Sequence, residues 1–318
     1  MITAAELTKI YHGGTIGIEN ITMNISEGSI GLLGPNGAGK TTFIRLLFGL
    51  IRPTAGSGTI AGYDIHTEID KIRQEVGHMP ELGSLPDDVS GMKWATHIGR
   101  LSGLPPTAAL RRADECLHYC GLREERHRDI RTYSTGMKQR AKMALALVHD
   151  PAIIIADEPT SGMDPKGREQ MLDLITRLHK EEGKSVLVSS HLLGDIERVC
   201  DRAVIFSEGH LRLQGSLQEL LAGQKPAIII TIKEDVTTLK DFLEREHQLT
   251  CTQMSTNSLE ITYEDEATYD LLFQSAYALG LQVRHISKRE RTLEEMFLDL
   301  FNSEPTPHKE MIPAPGGS

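Results

Sequence analysis

The run Gly34-Pro35-Asn36-Gly37-Ala38-Gly39-Lys40-Thr41-Thr42 constrains this chain more than any other stretch. It fits the phosphate-binding pattern G-x-x-x-x-G-K-[ST], which has physical meaning only between a strand and a helix. Ile30, Leu32 and Leu33 read as the short apolar strand before it, and Phe43, Ile44, Leu46 and Leu47 recur behind it at helical spacing. Glycines so placed let successive backbone N–H groups turn inward around a polyphosphate, and the helix start adds the positive end of its dipole. In that setting Lys40 reaches the β- and γ-phosphates and the Thr41 hydroxyl ligates Mg2+.

The 318 residues suffice for one large domain and a smaller one, and 39% of them are apolar, enough for a proper core. A net charge of −10 argues against a general nucleic-acid binder, whose domains carry a basic patch or stripe. Cys116, Cys120, Cys200 and Cys251 form no C-x-x-C pair, which points to reduced, buried thiols and a reducing compartment. No secretory leader is expected at Met1–Glu6, and no apolar run approaches the ~18 residues of a membrane span.

Short β-type runs occupy Ile2 to Ile25, with further strands expected at Ser57–Ile60 and Glu75–Met79. From about residue 89 to 149 the pattern becomes helical. Trp94, Ile98 and Leu101 share one helix face, and Leu110, Ala113, Leu117 and Cys120 another, separated by Pro105-Pro106. Strand signals return at Ile153–Ala156, Ser185–Ser189 and Arg202–Phe206, with helices between them. Alternation of this kind predicts an α/β core on a largely parallel sheet, with the helical stretch as an insertion. Gly223–Pro226 reads as a boundary. Beyond it the expected order is β-α-β-β-α-β over 227–302, the ferredoxin-like arrangement, ending in a helix that carries Leu293, Met296, Phe297 and Leu300. The Pro- and Gly-rich tail 303–318 is expected to be disordered.

Two further segments carry chemistry. Ile153-Ile154-Ile155-Ala156-Asp157-Glu158 is an apolar strand ending in two carboxylates. On a strand expected to neighbour the phosphate loop's own, Asp157 can hold Mg2+ largely through water, and Glu158 can orient and deprotonate an attacking water. Tyr133-Ser134-Thr135-Gly136-Met137-Lys138-Gln139-Arg140 opens a long helix. Ser134 serves there either as a simple N-cap or, with the Gly136 amide, as part of an anion site.

These segments, together with Asp157-Glu158-Pro159-Thr160, Ser161-Gly162-Met163-Asp164-Pro165 and Ser190-His191, stand in the order found in ABC transporter ATPase subunits, which the chain resembles over about Met1 to Ala222. The resemblance implies an ABC-type P-loop ATPase domain over 1–222 with its helical subdomain at about 89–149. It implies a head-to-tail pair of such domains enclosing two ATP molecules, with Ser134 and Gly136 of one copy meeting the γ-phosphate held by Lys40 of the other. Tyr11 falls where the family stacks the adenine, Asp164 where it couples the two copies, and His191 where a switch histidine meets the γ-phosphate and the catalytic carboxylate. The partners implied are a separate membrane-spanning permease and a second copy, and the place implied is the cytoplasmic face of the membrane.

Two positions depart from the usual pattern. Glu81, in Gly77-His78-Met79-Pro80-Glu81, replaces a glutamine that normally touches Mg2+ and the attacking water. A glutamate ligates metal more strongly yet repels the γ-phosphate. The signature segment reads Ser-Thr-Gly-Met-Lys-Gln rather than Ser-Gly-Gly-Gln. Both departures, and the small appended domain, resemble the prokaryotic branch that exports drugs, antibiotics, peptides or ions. The alternative, a soluble ABC-type ATPase working as a switch on ribosomes or nucleic acid, sits poorly with one set of motifs and an acidic chain. No N-K-x-D guanine motif is present.

Overall fold

The computed structural model describes residues 1–81, 85–222, 227–263, 267–289 and 292–302. Its elements divide into two compact units, Met1–Gln218 and the remainder from Glu219. The expected boundary at Gly223–Pro226, the tail from Ser303 and the side chain of Leu300 lie outside the described residues.

The first unit opens with two long strands, β1 (Ile2–Ile10) and β2 (Ile16–Ile25), paired antiparallel from Ile2↔Ile25 to Ile10↔Ile16. Ile18, Ile21, Met23 and Ile25 of β2 are buried, all facing the core. The short strand β3 (Ser29–Leu33) is buried at every residue and leads through the phosphate loop into α1 (Lys40–Leu47). Then come β4 (Ala55–Ile60), β5 (Tyr63–Asp64), α2 (Ile69–Glu75) and β6 (Val76–Met79). The first sheet runs β2-β1-β4-β5, antiparallel throughout.

The helical stretch contains α3 (Gly91–Leu101), α4 (Pro106–Tyr119) and α5 (Thr135–Leu147), with single 3-10 turns at Glu124–His127 and Ile130–Thr132. Pro106 stands in the first turn of α4, where its missing N–H is harmless. The periodicity found α3 but misplaced its buried face. Gly91, Ala95 and Gly99 go inside, because a β-carbon on Gly99 would come within 2.7 Å of Val148 and 3.2 Å of Ala109. Trp94 and Ile98 are left half-buried and Leu101 is 70% exposed.

The second half of the unit alternates strictly: β7 (Ile153–Asp157), α6 (Pro165–Lys180), β8 (Ser185–Ser189), α7 (Leu193–Val199) and β9 (Arg202–Ser207). An added strand, β10 (His210–Ser216), returns antiparallel along β9, and α8 (Leu217–Ala222) follows. The six-stranded sheet has the order β10-β9-β3-β8-β7-β6 and is parallel apart from β10. All residues of β7 and β8 are buried, the signature of strands covered on both faces. One core joins the two sheets through α1: Phe43, Ile44, Leu46 and Leu47 pack with Ile2, Ile18 and Ile60 on one side and Ile153, Ile155, Leu187 and Phe206 on the other. Phe43 meets Phe206 edge to face at 5.3 Å.

The second unit holds β11 (Ala227–Ile232), α9 (Thr237–Glu246), β12 (Thr250–Ser255), β13 (Ser258–Thr262), α10 (Ala267–Ala278) and β14 (Val283–Arg289). Its sheet order, β12-β13-β11-β14 with all pairs antiparallel, is the ferredoxin-like arrangement read from the element order. Ile228, Ile230 and Ile232 of β11 pack with Leu239, Leu243, Leu259, Ile261 and Leu272. The last helix, α11 (Leu293–Asn302), buries Leu293 and Met296, and its Glu295 pairs with Arg289 of β14, which also holds Glu260 of β13.

Candidate active site at the carboxyl edge of the parallel sheet

Parallel strands present their carboxyl ends on one edge, where ligands of open α/β sheets bind. The strand order puts three informative segments there: the phosphate loop after β3, Ser189–His191 at the end of β8, and Asp157-Glu158 at the end of β7. The carboxylate strand is not the immediate neighbour of β3, since β8 stands between them. A cleft of about 380 Å³ opens over this edge, lined by Tyr11, residues 35–42, Glu81, Asp157, Glu158 and His191, among others.

The phosphate loop needs its glycines. Gly34, Gly37 and Gly39 have φ of 153°, 83° and 105°, values that side chains with a β-carbon rarely tolerate. A β-carbon on Gly34 would run into the Phe206 carbonyl, and one on Gly39 would come within 2.6 Å of the Gly17 carbonyl. Gly39 caps α1 with no side-chain partner for the first-turn N–H groups, and no acidic residue occupies that turn. The open donors therefore suit an anion. Lys40 is only 8% exposed and donates to the carbonyls of Gly34 at 2.6 Å and Pro35 at 3.3 Å. Burial lowers its pKa, opposed by the charges of Glu158, Asp157 and Glu81.

Asp157 is buried at the end of β7 and accepts a hydrogen bond from Ser189 Oγ. That same oxygen accepts from the Glu158 amide at 3.2 Å. Glu158 stands at φ 49°, a left-handed backbone that non-glycine residues seldom adopt. Its carboxylate lies 2.8 Å from His191 Nδ1. Burial raises the Glu158 pKa, while His191 and Lys40 oppose the rise and Glu81 adds to it. Thr41 and Asp157 offer hard oxygen donors that could hold Mg2+. Among the described residues no cluster of three His, Cys, Asp or Glu side chains is built to hold a metal alone. A magnesium ion fits here as one drawing its other ligands from phosphate and water.

Tyr11 lies over Gly17, whose added β-carbon would sit 2.7 Å from the ring, and its hydroxyl is 3.2 Å from Thr42 Oγ. Ser134 caps α5, accepting from the Met137 amide at 3.3 Å. Neither Ser134, Gly136 nor Asp164 lines the cleft, and Ser134 and Asp164 are exposed.

The family described as "ABC transporter" matches residues 18–161. An ABC transporter ATP-binding protein of Nostoc sp. is 31% identical over 329 residues, spanning 98% of this chain and 93% of the relative. The chain belongs to the ABC transporter ATP-binding proteins. Among its relatives are the linearmycin resistance ATP-binding protein LnrL of Bacillus subtilis, 32% identical over 94% of this chain and 98% of that one, and the daunorubicin/doxorubicin resistance ATP-binding protein DrrA of Streptomyces peucetius, 30% identical over 94% and 92%. The ATP-binding cassette MJ0796, solved as a dimer in a post-hydrolysis state with ADP and Pi, superposes with a TM-score of 0.63 at 25% identity, over 68% of this chain and 99% of that one. The protein is an ABC ATPase. Among the described residues no helix is long and apolar enough to cross a membrane.

Sequence reading missed the polar network that ties these segments together. Asp195, 1% exposed on α7, accepts from Thr160 Oγ at 2.7 Å and from Arg168 Nε of α6 at 2.7 Å. Gln139 of α5 donates to the Ser161 carbonyl at 3.1 Å. Thr160 follows Glu158 by two residues and α7 begins two residues after His191, so Asp195 joins the two ends of the Glu158–His191 pair. Replacing Asp195 with Ala leaves the Thr160 hydroxyl and the half-exposed Arg168 without their acceptor. A loss of roughly 2 kcal/mol in folding stability is expected, read by urea denaturation. A wild-type midpoint would show the network to be dispensable for the fold.

Proposed function

We infer that this ABC ATPase powers a transporter whose membrane-spanning permease is a separate chain, and that the direction is export. The observation that carries the reading is an incomplete site. Lys40, Thr41, Asp157, Glu158 and His191 share one cleft, while Ser134 and Gly136 stand outside it on the same chain. A second copy, placed head to tail, supplies them: its Ser134 hydroxyl and Gly136 amide meet the γ-phosphate, and Asp164 of each copy faces the other's site. The dimeric cassette with ADP and Pi supports that assembly, and the relatives named for drug resistance support export.

In this reading Tyr11 stacks on adenine. The amides of Gly34, Asn36, Gly37, Ala38 and Gly39 and the side chains of Lys40 and Thr42 bind the phosphates, and Pro35 fixes the backbone at the loop's entry. Thr41, Asp157 and Glu81 are the residues that would hold Mg2+, which when bound would neutralise phosphate charge. Glu158 takes the proton from the attacking water. His191 orients the Glu158 carboxylate through the 2.8 Å contact and senses the γ-phosphate. Hydrolysis loosens the pair, and the helical stretch passes the movement to the permease.

The permease is expected to dock on the apolar face that α3 leaves outside. A wild-type chain should sediment with membranes of cells that hold its permease. Leu101→Arg, which sets a charge on that face, is expected to shift most of the protein to the supernatant. Unchanged sedimentation would move the docking surface elsewhere, and a chain that never sediments would remove the transporter reading.

A further inference from the structure

The cleft holds three carboxylates, Glu81, Asp157 and Glu158, beside the Lys40 ammonium and the His191 imidazole. A nucleoside triphosphate brings several more negative charges into the same space. An anionic residue at position 81 then opposes the ligand it faces, unless a nearby cation offsets it.

Lys142 stands behind that position. It projects from the middle of α5, and its Nζ donates to the main-chain carbonyl of Glu81 at 2.7 Å and to that of Pro80 at 3.2 Å. Two carbonyl acceptors hold the ammonium against the Pro80–Glu81 main chain, and Glu81 itself lines the cleft. The support under it is firm, since α5 packs so closely on β6 that a β-carbon on Gly77 would strike the Ala146 carbonyl. The ammonium is half-buried. Burial lowers its pKa, opposed first by the charge of Glu81 and then by that of Asp157.

Resting on the reading of this cleft as the ATP site, we propose that Lys142 is a positioning residue whose charge offsets Glu81 and so allows a glutamate to face the phosphates. It does not touch the nucleotide. It holds the Pro80–Glu81 turn and cancels part of the repulsion that the Glu81 carboxylate exerts on the phosphates.

The test is Mg-ATP binding by the full-length chain, measured for Lys142→Met and Lys142→Arg with Glu81 present and again in a Glu81→Gln background. Lys142→Met loses the carbonyl grip in both backgrounds alike, so the difference between them isolates the charge. With Glu81 present, Lys142→Met is expected to raise Kd roughly tenfold, and in the Glu81→Gln background less than about twofold. Lys142→Arg keeps the charge and should stay within about threefold of wild type. Lys142→Gln serves as a second neutral variant, and a melting curve for each variant separates misfolding from weak binding. Equal losses in both backgrounds would reduce Lys142 to a structural clasp and overturn the proposal, as would no loss in either. Lys40→Ala is measured in parallel. If it binds Mg-ATP like wild type, the ATP-site reading itself fails and the counter-charge falls with it. If only the two-background comparison fails, the site stands and the role of Lys142 does not.

Discussion

Lys40→Ala is expected to raise the Kd for Mg-ATP by about 10²-fold or more and to remove measurable hydrolysis. The side chain is almost fully buried, and the fold has already stripped much of the water from its ammonium. Burial lowers its pKa, and the carboxylates of Glu158, Asp157 and Glu81 oppose the drop. An ammonium so prepared meets phosphate oxygens without first losing its own hydration shell, which makes each contact stronger than in water. Alanine leaves three carboxylates facing a polyphosphate with no ammonium between them. Lys40→Arg is not expected to restore function, because a planar guanidinium does not match the Gly34 and Pro35 carbonyls that grip the compact ammonium. Titration calorimetry and steady-state turnover on the purified chain read both effects. Wild-type affinity in the alanine variant would show that the cleft is not where ATP binds.

Glu158→Gln is expected to slow hydrolysis by 10²–10⁴ while leaving ATP binding near wild type, on the general-base reading of that carboxylate. The amide keeps the size of the side chain but cannot accept the water's proton. The pH profile separates this from a positional defect. Burial lifts the Glu158 pKa above the ordinary carboxylate value, so wild-type turnover should fall on acidification through a limb that lies above 4.5, as the base becomes protonated. The residual activity of Glu158→Gln should lack that limb. With hydrolysis blocked, the variant should also accumulate a Mg-ATP-dependent dimer visible by light scattering, absent or transient in wild type. Turnover at the wild-type rate with no dimer would strip Glu158 of the role and make Glu81 the next carboxylate to test.

Much of this was legible because the relevant signals are local. The Gly34–Thr42 loop, the apolar runs Ile153–Ala156 and Ser185–Ser189 and the alternation of strand with helix depend on neighbours in sequence, and they gave an α/β core with a phosphate loop in the right setting. What escaped depends on distant partners. Strand β5 has two residues and exists through its pairing with β4. Strand β10 is half-buried along its length and has no strong apolar alternation of its own; β9 recruits it. The inward face of α3 was misjudged because glycine and alanine carry little hydropathy, yet close helix packing selects them over Trp94 and Leu101. At the site, Asp157 and Glu158 stood out at the end of an apolar strand, and His191 came in through the family motif. Asp195 did not, being an unremarkable acid in a helix until folding surrounds it with Thr160 and Arg168. Lys142 was hidden for the same reason, since its partners are main-chain carbonyls 61 and 62 positions away.

The phosphate loop is wedged between the two sheets of the first unit, with Gly34 against the Phe206 carbonyl of β9 and Gly39 against the Gly17 carbonyl of β2. A segment braced from both sides has nowhere to travel. It behaves as a mould set before the ligand arrives, so nucleotide capture spends little ordering entropy on the loop. Any work drawn from ATP must then come from parts held on one side only, and the stiffness of the holder is what lets a small chemical change elsewhere become a displacement rather than be absorbed where it began.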